Sequence, residues 1–261
     1  MRVRRWVSGQ GVVNGGDEVA REEPLEIRVD TRSVAVVMRT PGHDEELAAG
    51  FLVSEGLLQS RDQLGALRPH PRNRAGNVID VFLKPEVSVD FATLTRHVFA
   101  ASSCGLCGKA SIRALKGRFP KLTARLKVVA STLLELPGRM AAAQATFSRT
   151  GGLHAAALFS GDGQLMCLRE DVGRHNAVDK LLGRALLDGR LPLSGCVLLV
   201  SGRTSFEILQ KALAGGLAVV AAVGAPSSLA VEFARENGQT LVGFLRDGRF
   251  NIYAGAERLA G

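Results

Sequence analysis

From about residue 149 onward the chain alternates short apolar runs with amphipathic stretches, and no other feature narrows its fold so far. Residues 154–159, 164–168, 197–201, 218–223, 240–244 and 250–253 read as strands, and 176–187, 205–214 and 228–237 as helices. Repeated strand–helix–strand units carry the chain back across a sheet face, so the pattern predicts a largely parallel sheet covered on both faces. Hydrophobic residues are 46% of the chain and aromatics only 5%, so the core filling these layers is aliphatic. The longest apolar runs, 196–200 and 217–223, fall far short of the roughly 20 residues that a membrane-spanning helix needs.

The first hundred residues follow a different pattern. Residues 24–29 and 33–38 read as strands joined by a turn at Asp30, Thr31 and Arg32, and 77–83 reads as a third strand. Residues 44–58 read as a helix, with Leu47, Phe51, Leu52 and Leu58 on one face, and the polar stretch 68–76 reads as an exposed loop. Three parts follow: a small, β-rich N-terminal α+β domain over 1–100, a cysteine loop with its helix over 101–125, and the α/β domain over 126–261. Ile112, Leu115 and Phe119 give 109–119 helical spacing, and 132–147 reads as a helix bent near Pro137 and Gly138.

The balance of 33 basic to 25 acidic residues gives a net charge of +8, which favours an anionic partner. One Trp and one Tyr cannot build a stacking platform for single-stranded nucleic acid, so no nucleic-acid partner is expected. In open α/β sheets ligands bind beyond the carboxyl ends of the strands. Three such ends here are rich in small and polar residues: 170–176, 201–207 and 224–228. Thr204, Glu207, Ser227 and Asn176 suit helix caps. Arg174 and Arg203 each follow a glycine at a strand end, where a guanidinium could hold a phosphate. Ser201 sits at the same junction. His175 suits a helix start, with proton donation as the alternative, and His154 suits a structural hydrogen bond beside Gly151 and Gly152. Neither GxGxxG nor a Walker A motif is present. Asp247-Gly248 signals a hairpin turn, and the arginines flanking it add a possible anion contact.

Cys104-Gly105-Leu106-Cys107-Gly108-Lys109 is the only close cysteine pair among four cysteines. Small neighbours leave the sulfur reachable, and the adjacent lysine favours thiolate, the reactive form. A helix start just beyond Cys107 would further stabilise a thiolate or persulfide anion. A closed zinc site needs four ligands, and Cys167 and Cys196 look like buried strand cysteines, so no structural metal is expected. A zinc deaminase needs H-x-E followed by a later cysteine pair. Here Ala155 and Ala156 follow His154, and the pair comes first, which excludes that chemistry. A thioredoxin-like pair sits near the start of a βαβ domain, which this one does not. Few cysteines, and an N-terminus carrying Arg2, Arg4 and Arg5 without an apolar stretch behind them, point to a reducing cytoplasm.

The chain resembles the FdhD/NarQ family of formate dehydrogenase accessory sulfurtransferases. The resemblance rests on Glu22-Glu23-Pro24-Leu25, Arg39-Thr40-Pro41-Gly42, Gly50-Phe51-Leu52 with Ser54-Glu55-Gly56, and the cysteine motif. It continues through Thr150-Gly151-Gly152-Leu153-His154, residues 170–180 and 201–207, Ala225-Pro226-Ser227-Ser228-Leu229-Ala230, and Leu241-Val242-Gly243-Phe244. It implies a cytidine-deaminase-like three-layer α/β/α main domain without the zinc chemistry. It also implies a sulfur carrier that takes sulfur from a cysteine desulfurase and transfers it to the Mo-bis(molybdopterin guanine dinucleotide) cofactor, bound as cargo, before insertion into formate dehydrogenase. The family's persulfide cysteine falls on Cys104, with Cys107 assisting. Its cofactor-binding segment falls on Phe244, Leu245, Arg246, Asp247, Gly248 and Arg249, and a homodimer is implied. The competing readings are a maturation chaperone that holds cofactor without moving sulfur, and a dithiol oxidoreductase.

Overall fold

The computed structural model describes residues 1–91, 94, 119–123 and 126–261. Cys104, Cys107 and all of the expected helix 109–119 except Phe119 lie outside the described residues. The chain opens with an antiparallel hairpin of β1 (Arg2–Val7) and β2 (Gly11–Gly16), with Trp6 opposite Val12. The sequence reading had no element there. A four-stranded sheet follows: β3 (Glu23–Val29), β4 (Arg32–Arg39), β5 (Leu64–Pro69) and β6 (Val78–Leu83), in the order β4-β3-β6-β5. β5 takes the start of the expected loop 68–76. It is an edge strand with a mostly exposed backbone, so it lacks the apolar alternation that marks a strand in sequence.

Helix α1 (Asp44–Ser54) packs on this sheet and ends earlier than 58. Gly56, at φ 66°, sets the stop. Its amide donates to Val53 O and that of Leu57 to Leu52 O, both at 2.9 Å, satisfying carbonyls that the helix leaves open.

The second half opens with β7 (Val128–Val129) and α2 (Ala130–Ala143), then the short α3 (Phe147–Thr150). The expected single helix is thus interrupted, and not at Pro137, which α2 accommodates. The break comes where the Glu170 carboxylate accepts the amides of Thr146 and Phe147, at 2.9 and 2.7 Å, and so starts a new helix. Next come β8 (His154–Ser160), β9 (Leu165–Asp171), α4 (Arg174–Leu187), β10 (Cys196–Val200), α5 (Phe206–Ala214), β11 (Val219–Ala222), α6 (Ser228–Asn237), β12 (Thr240–Arg246), β13 (Arg249–Ala254) and β14 (Leu259–Ala260), which pairs with β7.

The main sheet runs β13-β12-β11-β10-β8-β9. Only the neighbouring pairs β10–β11 and β11–β12 are parallel; β9 runs the same way but is separated from them by the antiparallel β8, so the sheet is mixed where a largely parallel one was expected. β8–β9 and β12–β13 are hairpins, and hairpins are antiparallel. The turn of the second is Asp247 and Gly248, at φ 53° and 71°, the two left-handed residues of a type I′ turn. The layers follow the strand alternation. Ala156, Leu158, Leu198, Val200, Val220 and Ala222 face α4, α5 and α6, while Ala155, Ala157, Phe159, Val197, Leu199 and Val219 face α2. This is the three-layer α/β/α arrangement expected for the main domain.

The N-terminal part shares the first of these cores, which runs without a break from Leu25 and Ile27 through Leu52 to Leu181 and Leu198. The seam is the crossing of α1 and α4. A Cβ on Gly50 would lie 1.7 Å from Asp179 O, and one on Gly183 would lie 1.8 Å from Glu46 O. Only glycine at both positions lets these backbones touch. Charges buried at the seam are all paired. Lys180 meets Asp171 at 2.7 Å and donates to Thr40 O at 2.8 Å, and Lys211 meets Asp179 at 2.7 Å, whose carboxylate also takes the Ser54 hydroxyl.

Candidate functional site

The carboxyl ends of β9, β10, β11 and β12 and the amino end of β8 lie along one edge of the main sheet. Backbone hydrogen bonds lace the loops there. Gly224 N donates to Gly202 O, Phe244 N to Gly224 O, Thr204 N to Ala225 O and Ser227 N to Thr204 O, at 3.3, 3.0, 3.1 and 3.0 Å. The loops approach closely enough that a Cβ on Gly224 would lie 2.9 Å from Gly202 O. This edge gathers Ser201, Arg203, Arg174 and His175. The hairpin at Phe244 to Arg249 begins two strands away from β10, about 10 Å at ordinary strand spacing.

The individual side chains differ in what they offer. Ser201 Oγ accepts the Ala155 amide at 2.9 Å, which leaves its own O–H to donate. Arg174 opens α4 after Gly173, and its buried Nε has no hydrogen-bond partner among the described residues. Arg203 is exposed. Thr204 Oγ1 is a second buried polar atom at this edge without a partner among the described residues. In the hairpin, Arg246, Asp247, Gly248 and Arg249 are exposed. Leu245 is fully buried in the core facing α2, so its side chain is closed to any ligand at the hairpin. Phe244 has φ 52° at a register shift of β12 on β13, a bulge that re-aims the hairpin.

Several expected caps have other roles. Ser227 does cap α6, accepting from Ala230 N at 3.3 Å. Asn176 lies inside α4 and donates to Met38 O and Asp171 Oδ1, at 2.7 and 2.9 Å. Ser205, not Thr204, is the N-cap residue of α5. Glu207 pairs with His175 Nε2 at 3.0 Å, and this hydrogen bond, ahead of other causes, holds its carboxyl below the usual range. His154 departs from the expected structural hydrogen bond. Among the described residues its half-buried ring has no such partner, and it lies against Gly202, where a Cβ would sit 3.3 Å from Nδ1. Burial first, then the charges of Arg174, His175 and Arg203, push its pKa down.

Thr40 was legible only through the family resemblance, and the structure gives it a physical role. Its amide donates to Asp171 Oδ2 and its hydroxyl accepts the Val172 amide, both at 3.1 Å, so the turn before Arg174 is fastened to the N-terminal part. No local pattern could show this, since the partners are more than 130 residues apart. Cys196 is buried and Cys167 half-buried, and burial raises the pKa of both thiols, so neither is poised as a thiolate. Cys104 and Cys107, the candidate reactive pair, lie outside the described residues.

Comparisons with known proteins bear on the family and the fold. The model of the FdhD/NarQ family matches residues 20–260. A protein of Streptomyces coelicolor named sulfur carrier protein FdhD is 54% identical over 252 residues, covering 94% of this chain and 89% of its own length. A Mycobacterium tuberculosis protein of the same name is 48% identical, covering 98% of this chain and 96% of its own length. The crystal structure of a candidate formate dehydrogenase accessory protein from Desulfotalea psychrophila superposes with a TM-score of 0.79 at 24% identity, covering 100% of this chain and 98% of its own.

Proposed function

The chain belongs to the FdhD/NarQ family, and on that premise we propose that it is a sulfur carrier serving formate dehydrogenase, loaded at Cys104 by a cysteine desulfurase. The Cys104 thiolate attacks the terminal sulfur of the donor's persulfide. A Cys104–sulfur bond forms, the donor's sulfur–sulfur bond breaks, and the donor cysteine leaves as thiolate. Cys107 assists the onward transfer. The acceptor is the molybdenum of a bis-molybdopterin guanine dinucleotide substrate, which then passes to formate dehydrogenase. The protein acts in the cytoplasm as a homodimer.

One observation favours the strand ends as the seat of the substrate's nucleotide portion. Among the described residues, Arg174, Arg203 and the hairpin's Arg249 have no carboxylate partner, while the buried cations of the seam are paired. The Arg174 Nε in particular is buried without any acceptor, which a bound phosphate oxygen would supply. Ser201 and His175 add donors beside it. The Asp247–Gly248 turn carries Arg246 and Arg249 on either side, where they reach a second phosphate or a base edge.

Intact-mass spectrometry after incubation with a cysteine desulfurase and cysteine reads the loading step. One added sulfur is expected on the natural chain and none on Cys104→Ala. Retention of the adduct in that variant would move the role to another cysteine. GDP stands in for the nucleotide portion in calorimetry, where Arg249→Ala is expected to weaken binding. A Cys104→Ala/Cys107→Ala variant that still matured formate dehydrogenase would favour a chaperone that moves no sulfur.

A further inference from the structure

Two histidines share the strand-end site, and their surroundings are opposite. His175 has a carboxylate: Glu207 Oε2 lies 3.0 Å from its Nε2, with Ser205 Oγ at 3.4 Å. His154 has none. The charged groups around it are Arg174 and His175 from the first turn of α4 and Arg203 from the loop after β10, all cationic or able to become so. The nearby carboxylates are committed elsewhere. Glu170 holds the amides of Thr146 and Phe147, Asp171 holds Lys180 and the Thr40 and Gly173 amides, and Glu207 holds His175. The His154 ring is half-buried against Gly202, without a hydrogen-bond partner among the described residues.

We propose that the strand-end site takes up one proton together with its phosphate-bearing ligand, and that His154 is the group that receives it. The inference rests on the reading of these strand ends as an anion site. Without ligand, partial burial and the neighbouring guanidinium charges of Arg174 and Arg203 disfavour protonation of the ring. A bound pyrophosphate neutralises Arg174 and Arg203 and brings acceptor oxygens among them. The same ring then gains by protonation, becoming one more donor to the anion. The proton comes from solvent, no covalent bond changes, and ligand release returns it. Binding is thereby tighter at lower pH, and a rise in pH loosens the site. His154 is a positioning group in this scheme, not a nucleophile.

The chain has only five histidines, so their ring resonances can be resolved and titrated by NMR on the full-length protein. His154 is expected to titrate below the ordinary histidine value in the free protein, and clearly higher with saturating inorganic pyrophosphate. Calorimetry with pyrophosphate in buffers of different ionisation enthalpy should report proton uptake beyond that of the ligand itself. In the window between the free and bound titrations, affinity should fall by up to about tenfold per pH unit. His154→Gln should remove the extra uptake and flatten the pH dependence, while His175→Gln should weaken binding and keep both. Extra uptake that survives in His154→Gln, or a His154 titration unmoved by pyrophosphate under conditions where binding is measured, overturns the inference and leaves the anion site standing. No binding of pyrophosphate or GDP at any pH removes the anion site itself, and the inference with it.

Discussion

The inner side and the amino-terminal end of helix α4 carry similar residues to different ends. Along the inner side every buried charge has its counter-charge: Lys180 with Asp171, Asp179 with Lys211. At the amino-terminal end, among the described residues, Arg174 has a buried Nε with no acceptor, and His154 stands beside Arg174 and Arg203 with no carboxylate partner. Burial tolerates a charge only when it is paired. The paired set joins the two parts of the chain, and the unpaired set is the seat of the anion site proposed above. Loss of a member of the first set should cost stability, and loss of a member of the second should cost binding.

The largest effect belongs to the seam itself. Gly183→Ala puts a methyl group 1.8 Å from the backbone oxygen of Glu46, and no side chain can yield to admit it. We expect a loss of roughly 3 kcal/mol or more, read as a drop in the urea midpoint or as failure to fold. A variant with an unchanged midpoint would mean that α1 and α4 do not touch as described.

Next comes the buried pair. Lys180→Met leaves Asp171, which is fully buried, without its counter-charge. A loss of about 3–5 kcal/mol is expected in chemical denaturation. Thr40→Val removes the hydroxyl that accepts the Val172 amide and should cost less, about 1–2 kcal/mol.

The sharpest contrast is Arg203→Ala. Arg203 is exposed and has no carboxylate partner among the described residues, so stability should stay within about 0.5 kcal/mol while GDP affinity falls. Equal losses in stability and binding would erase the distinction between the two sets.

The smallest effect tests the hydrogen bond between Glu207 and His175. Glu207 has its pKa lowered in the folded state, chiefly by the hydrogen bond from His175. The stability it contributes is therefore present above the unfolded carboxyl value and is lost as pH falls through the lower, folded one. The Glu207 side chain is half-exposed, so Glu207→Gln should change stability by only a few tenths of a kcal/mol at pH 7, and should reduce the loss on acidification.

Much of this architecture was readable in sequence. The strands of the main sheet are buried on both faces, so their apolar runs are continuous, and the helices between them carry one apolar stripe each. Asp247-Gly248 announced its hairpin. The mixed sheet was less readable, because apolar content does not report strand direction. The edge strand β5 and the first hairpin escaped notice because exposed strands do not alternate. A glycine followed by an arginine at a strand end was signal enough to place Arg174 and Arg203 at the edge of the main sheet. The hydrogen bond expected of His154 is not found among the described residues, since its surroundings are assembled from α4 and the loop after β10, both far from it in the chain. Asn176 and Glu207 looked like caps because cap residues and cross-chain hydrogen bonders are the same residue types. The interruption between α2 and α3 comes from Glu170, a carboxylate more than twenty positions away, while Pro137 misdirected the eye.

Calorimetric titration of GDP into the natural chain and into an Arg174→Ala/Arg203→Ala variant, with urea midpoints measured on both, puts the central claim at risk most directly. Saturable binding by the natural chain, at least tenfold weaker in the variant and with matching midpoints, is the predicted result. Undiminished affinity in the variant, at equal stability, would show that the unpaired cations at the sheet edge are not what holds the anion.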